Sequence, residues 1–304
     1  MTKKTEDPEE LQLKVLLFNI QTWECIMRAC RNKGMYAALD PHGTYATFFK
    51  GFPLHGMKVL WDENSLTSIF SLTPELQESI AKLDPCVLHM QELGMIVERY
   101  ATACSRVYGA LTYLDFMDIL LGLEEFDPLI SLNEIKYMIT TPTLSPYAKY
   151  LVDSEHTIIY NPCLFDLEKE DYWPDVRQFI SESAKHPRWK PRTKRDLYKY
   201  SETYAGGKPS QALEKLLVAE WGLNTDLPMD PVYLNLYRSF ANGGSVGDHL
   251  ESIAPFLVPD PLEGGPETLR LVSAISAAEK DFRNPNLGGF RRGDKRPGGA
   301  RKAK

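Results

Sequence analysis

Between residues 185 and 200 the chain reads KHPRWKPRTKRDLYKY, seven basic side chains against one acid, Asp196, with Trp189, Tyr198 and Tyr200 set among them. That combination is chemistry for a polyanion. Ammonium and guanidinium groups neutralise phosphates and release counterions, while aromatic faces stack on exposed bases for about 1–3 kcal/mol each. Pro187 and Pro191 hold the first half extended, a form suited to following a flexible strand. The expected contacts are Lys185, Arg188, Trp189, Lys190, Arg192, Lys194, Arg195, Tyr198 and Lys199.

A second basic stretch occupies residues 283–304, with eight basic residues against Asp294, five glycines, two prolines and few large apolar side chains. Such a composition buries too little surface to offset the cost of ordering, so a disordered basic tail is expected from residue 283 onward. Its GGFRRG and GGAR runs resemble the loose Gly/Arg segments that hold single-stranded RNA electrostatically. The contacts expected here are Arg291, Arg292, Lys295, Arg296, Arg301, Lys302 and Lys304. Solubilisation, or nuclear import through the basic clusters, is the alternative role for such a tail.

The formal charge of the 304-residue chain is −6, which taken alone argues against a polyanion partner. Its distribution says otherwise. The two basic segments carry +6 and +7, which leaves −19 on everything else.

Other chemistry is thin. There is no phosphate-cradling G-x-x-x-x-G-K-[ST] motif, no G-x-S-x-G elbow and no H-E-x-x-H. Gly243, Gly244, Ser245, Val246 and Gly247 read as a connection between helices. Cys86 and His89 form half of a metal pair without a second half at finger spacing. Five cysteines, an odd number, point to reduced thiols used as small core residues. The six histidines are scattered, and carboxylate pairs such as Glu124 and Glu125 read as solvated surface. Neither an enzyme nor a cofactor or metal site is expected. A helical enzyme built from dispersed His, Cys and carboxylate groups is the weaker alternative, and needs a cleft joining His89 or His156 to a cysteine and an acid.

The elements that must position these segments are mostly helices. Thr73-Pro74, Asp84-Pro85 and Asp230-Pro231 each set an N-cap residue before a proline suited to the first helical position, and Gly265-Pro266 repeats the pattern. Ser131 and Glu134 have capping-box spacing, and Gly34 and Gly222 stand where helix C-caps belong. An apolar stripe at helical period runs from Leu13 to Cys30, and another from Leu93 to Leu111. Further helices are expected around 174–184, 210–221, 231–241, 246–254 and 267–282, with a short strand at 158–160. The stretch 44–60, rich in Gly and Pro, reads as mostly loop. Within it Tyr45, Phe48, Phe49 and Phe52, with Trp61 beyond, anchor the loop to the core or form a patch for self-association. The fold class is predominantly α: an N-terminal helical lobe at 1–140, a Pro-containing connection at 141–173, a C-terminal helical lobe at 174–282 and the tail at 283–304.

The N-terminal MTKKTEDPEE has no apolar stretch of secretory type, and no run approaches the roughly 18–20 apolar residues of a membrane span. A cytoplasmic protein with no membrane partner is expected. An acidic helical body with basic segments resembles the layout of coat and nucleocapsid proteins of RNA viruses, although this chain begins acidic where many coats carry a basic arm. The resemblance implies a self-assembling, RNA-binding structural protein of the virion. Its partners would be nucleic acid, single-stranded or genomic RNA, and further copies of itself. A cellular RNA-binding adaptor is the alternative.

Overall fold

The computed structural model describes all residues except 1–6, 19, 41–42, 125, 127–134, 137–138, 140–150, 154–157, 166–170, 203–206, 222, 224–230 and 295–304. Among the described residues there are twelve α-helices and two small three-stranded antiparallel sheets, so the protein is predominantly α. Packing divides the chain into two units. The first comprises residues 1–98 and 133–148, the second 99–132 and 149–304. This differs from the expected lobes at 1–140 and 174–282. The division falls inside the long helix that follows Pro85, because a continuous apolar stripe marks a helix without marking where its packing partners change.

In the first unit, α1 (Pro8–Leu17) and α2 (Ile20–Arg31) replace the single expected N-terminal helix. The strands are β1 (Met35–Leu39), β2 (Met57–Asp62) and β3 (Thr67–Leu72), in the order β1-β3-β2. The 44–60 stretch is not mostly loop. It contains α3 (Thr44–Gly51) and most of β2. The carboxylate of Asp40, fully buried, starts α3 by accepting from the N–H of Thr44 at 2.8 Å and of Tyr45 at 2.9 Å. It also ties the helix to β3 through the Ser68 hydroxyl at 2.5 Å. Tyr45 and Phe49 are core residues against Phe70, at 5.3 and 5.9 Å between ring centroids. Helix α4 (Pro74–Ala81) begins as expected, with the Thr73 hydroxyl accepting from the N–H of Leu76. Helix α5 (Pro85–Tyr108) has Asp84 at its start, accepting from the N–H of Cys86.

In the second unit, β4 (Ala110–Thr112), β5 (Leu151–Asp153) and β6 (Ile158–Tyr160) form the other sheet, in the order β4-β6-β5. Its helices are α6 (Tyr113–Leu121), α7 (Trp173–Ser183), α8 (Lys194–Glu202), α9 (Gly207–Trp221), α10 (Pro231–Asn242), α11 (Val246–Ile253) and α12 (Pro266–Asp281). The last four match the expected spans to within three residues at either end. Leu213, Leu217, Val232, Tyr237, Phe240, Ile253, Leu271, Ile275 and Phe282 make their common core. Ser245 starts α11 with a capping box closed by Asp248, so the glycine-rich stretch before it is a helix connection. The expected signals at Ser131, Glu134, Gly222 and Asp230 lie outside the described residues.

Candidate nucleic-acid interface

Both basic segments belong to the second unit, and the structure packs them on each other. Residues 186–192 run extended over the surface between α7 and α8, as Pro187 and Pro191 require. Their backbone is held at several points. The N–H of Trp189 donates to the carbonyl of Gly288 at 2.8 Å, the Tyr108 hydroxyl donates to the carbonyl of Trp189 at 2.7 Å, and the N–H of Glu124 donates to the carbonyl of Arg192 at 3.0 Å. Thr193 then caps α8. Its hydroxyl accepts from the N–H of Asp196, whose carboxylate accepts in turn from the N–H of Thr193, each at 3.2 Å. The only acid of the segment is therefore committed to the backbone. Burial opposes its charge, but these hydrogen bonds prevail and hold Asp196 below the usual carboxylate range.

Residues 283–294 are not disordered. They form a short 3₁₀ turn (Pro285–Leu287) and an antiparallel bridge between Asn284 and Phe290, with Phe290 buried. The Asn284 side chain donates to the carbonyls of Phe240 and Ala241 at 3.2 and 2.9 Å, satisfying the last turn of α10. The two glycines that suggested a flexible RNA-binding run are packing residues. Gly288 and Gly289 have φ of +63° and +80°, and a Cβ on Gly289 would lie 2.8 Å from Val107 Cγ1. Composition had suggested disorder because the apolar surface that Phe290 and the glycines cover belongs to other helices. Lys295, Arg296, Arg301, Lys302 and Lys304 lie outside the described residues.

The fold consumes much of the charge and aromatic surface expected to face a ligand. Arg283 sits buried with its guanidinium carbon 3.7 Å from the centroid of the Trp189 ring. It donates to the Tyr200 hydroxyl at 3.1 Å and to the Gly289 carbonyl at 3.2 Å, and lies 3.4 Å from Asp294. The Trp189 ring is thus stacked internally. Tyr198 lies against Tyr100 with centroids 4.8 Å apart, and Lys194 lies 4.8 Å over the Tyr198 ring. Both rings are half-buried and each is engaged by a cation of this chain. Arg188 pairs with Asp115 of α6. Burial works against the Asp115 charge, but Arg188 and the Thr112 hydroxyl bring its carboxyl below the usual range. Lys185 pairs with Glu182 at 2.7 Å, Arg291 with Asp281, and Arg292 with Glu279 at 2.9 Å while donating to the Gly243 carbonyl. Lys199 lies 5.1 Å over the Tyr200 ring.

Three expected contacts remain directed outward. Lys190, Arg192 and Arg195 are exposed, and none of them has an ion-pair partner among the described residues. Lys190 and Arg192 are exposed on either side of the buried Pro191 of the extended segment. Arg195 follows in the first turn of α8, where the aligned peptide dipoles also favour an anion. The product is a short cationic edge on a backbone already fixed in place, able to bind phosphate without a large ordering cost.

His89 is exposed on α5, and His156 lies outside the described residues. All five cysteines are free thiols, with Cys25, Cys104 and Cys163 buried. Among the described residues, no group of three or more His, Cys, Asp or Glu side chains is arranged to hold a metal ion. His249 of α11 lies in a polar cluster. It shares a 2.6 Å hydrogen bond with Ser239 through Nδ1, and its Nε2 lies 3.6 Å from Glu279. Its ring is fully buried edge-on to Phe240, which closes it to a substrate. Ser239, His249 and Glu279 come from three helices, so no spacing in the sequence announces the cluster. The capping pair Thr193 and Asp196 was legible as T-x-x-D, a variant of the capping-box spacing.

No protein-family model, curated protein or solved structure matches the chain. Among the described residues, no helix is long and apolar enough to cross a membrane.

Proposed function

We propose that this protein is a structural, RNA-binding protein of the nucleocapsid or coat type, which packages single-stranded RNA by self-association rather than by catalysis. The observation that carries the reading is the edge of Lys190, Arg192 and Arg195: three outward cations without acidic partners among the described residues, on a segment pinned by Tyr108, Gly288 and Glu124. A phosphate backbone suits it better than base edges do, since Trp189 and Tyr198 are turned to other uses. Recognition of this kind is independent of sequence, as packaging requires. The acidic remainder of the chain confines phosphate attraction to this edge and to the basic residues beyond Asp294.

The test is fluorescence polarisation with a labelled single-stranded RNA across a salt series, alongside light scattering and the 260/280 nm ratio of the purified protein before and after nuclease. The reading predicts binding that weakens steeply with salt and nucleic-acid-containing assemblies that nuclease reduces in size. A nucleic-acid-free monomer that fails to bind RNA at low salt would overturn it.

A further inference from the structure

Among the described residues, the sheet of the first unit buries one face and leaves the other open. Tyr36, Val59 and Phe70 turn into the core beneath α2 and α3. Strand alternation therefore places Met35, Ala37 and Leu39 of β1, Thr67, Ile69 and Ser71 of β3, and Lys58, Leu60 and Asp62 of β2 on the opposite face. Outward faces of small sheets are normally polar. Here Leu60 is 62% exposed, Met35 59% and Leu39 46%, and they lie around the half-buried Ile69. Single exposed apolar residues need no explanation, whereas a contiguous set on one sheet does.

The registers arrange these nine residues in three rows across the strands. They are Met35–Ser71–Lys58, Ala37–Ile69–Leu60 and Leu39–Thr67–Asp62. Rotation by half a turn about the middle row exchanges the outer two. Met35 then faces Leu39 of a second copy, Ser71 faces Thr67, Lys58 faces Asp62, and Ala37, Ile69 and Leu60 each face themselves. Every position meets one of matching chemistry: apolar to apolar, hydroxyl to hydroxyl, cation to anion. Self-complementarity of this kind is what an isologous two-fold interface demands. Lys58 is exposed with no ion-pair partner among the described residues. Asp62 is kept ionised by hydrogen bonds from the Ser65 hydroxyl and the N–H of Asn64.

We propose that this open face is a homodimer interface, on which a second copy of the chain packs sheet to sheet about a two-fold axis along the Ala37–Ile69–Leu60 row. Face-to-face sheets pack about 10 Å apart with their strands roughly aligned, which brings the side chains of the two faces together. A heterologous protein would need no such symmetry in its target, and the crossed Lys58–Asp62 relation selects the second copy over any other occupant. The inference deepens the self-association half of the proposed function and rests on that reading for its purpose, but not for its geometry.

Sedimentation velocity of the nuclease-treated full chain over a concentration series tests it, with native fold checked by circular dichroism. The wild type should dimerise, and Leu60→Asp should be a monomer. Lys58→Glu and Asp62→Lys should each weaken dimerisation about tenfold or more, since the two-fold axis repeats each like-charge contact. A mixture of these two variants should recover it, because both contacts between unlike partners are then of opposite sign. Asp62 also caps its turn, so if Asp62→Lys loses the native fold, Leu60→Asp and Lys58→Glu decide the matter. A wild type monomeric at every concentration, a Leu60→Asp protein that dimerises normally, or folded charge variants that gain nothing on mixing would overturn the proposal. So would a Leu60→Asp monomer markedly less stable than the wild type at concentrations where the wild type is itself monomeric, which would show that this chain covers the face itself. RNA binding measured on the same samples separates the two claims: monomeric Leu60→Asp that still binds RNA supports both, whereas a wild-type dimer without RNA binding upholds the interface and removes the packaging reading.

Discussion

Arg283 opens the stretch of sequence that looked like a cationic tail, yet its guanidinium is 3.7 Å from the Trp189 ring centroid and almost wholly buried. Arg283→Met keeps the apolar stem and removes the charge. Two hydrogen bonds from a charged donor to buried acceptors are lost, to the Tyr200 hydroxyl and the Gly289 carbonyl, each worth about 1.5–3 kcal/mol. The cation–π contact adds about 1 kcal/mol, and the Asp294 pair only a few tenths because that carboxylate is partly solvated. The expected loss is about 4–7 kcal/mol in urea unfolding followed by circular dichroism. Hydrogen exchange should show residues 186–192 and 284–294 losing protection together, since Arg283 joins them. Arg292→Met is the control, since its side chain is half exposed and its ion pair is worth at most about 1 kcal/mol. A loss below about 1 kcal/mol for Arg283→Met, with protection unchanged, would refute the claim that this arginine is a structural clamp rather than a ligand contact.

Two further outcomes follow from the same geometry. Trp189→Phe should leave RNA affinity unchanged, because the ring faces Arg283; a drop of about tenfold or more, the size of a lost base stack, would show in polarisation titrations and contradict it. Stability should fall with acidification below about pH 6.5 through His249. Burial, reinforced by Arg292 and opposed by Glu279 and Asp248, holds its imidazole below the ordinary 6.5, so the unfolded chain takes up the proton first. The contribution is complete above pH 6.5 and is lost as pH falls toward the depressed folded value. Denaturation midpoints of His249→Gln should lack this part of the slope, and an unchanged slope would assign it to another group.

Helices α10, α11 and α12 were legible because each begins at a proline or a cap and carries an apolar face at helical period, whereas α6 and α8 are helices that no such reading announced. Strands β1 and β3 were not. Met35, Ala37 and Leu39 point outward while Ala38 points inward, so β1 is apolar on both faces and shows no alternation to read. Helix α3 was hidden because its start depends on Asp40, four residues before Thr44, and on a buried bond to Ser68 that local spacing does not reveal. In the candidate interface the charge was legible and its allocation was not. Arg188 is neutralised by Asp115 of another helix, Arg291 and Arg292 by the end of α12, and Trp189 is covered by an arginine from far along the chain. A count of cations sets an upper limit on phosphate contacts. Only the packing shows that the described part of that limit reduces to three outward residues.

Those three residues carry the central claim, and the salt dependence of RNA binding tests it most directly. Lys190→Glu, Arg192→Glu and Arg195→Glu together, in the full chain with its fold verified by circular dichroism, should lower the slope of log K against log salt by about 2, at about 0.7 per lost phosphate contact on a single strand. An unaltered slope and affinity in the folded triple variant would contradict the account.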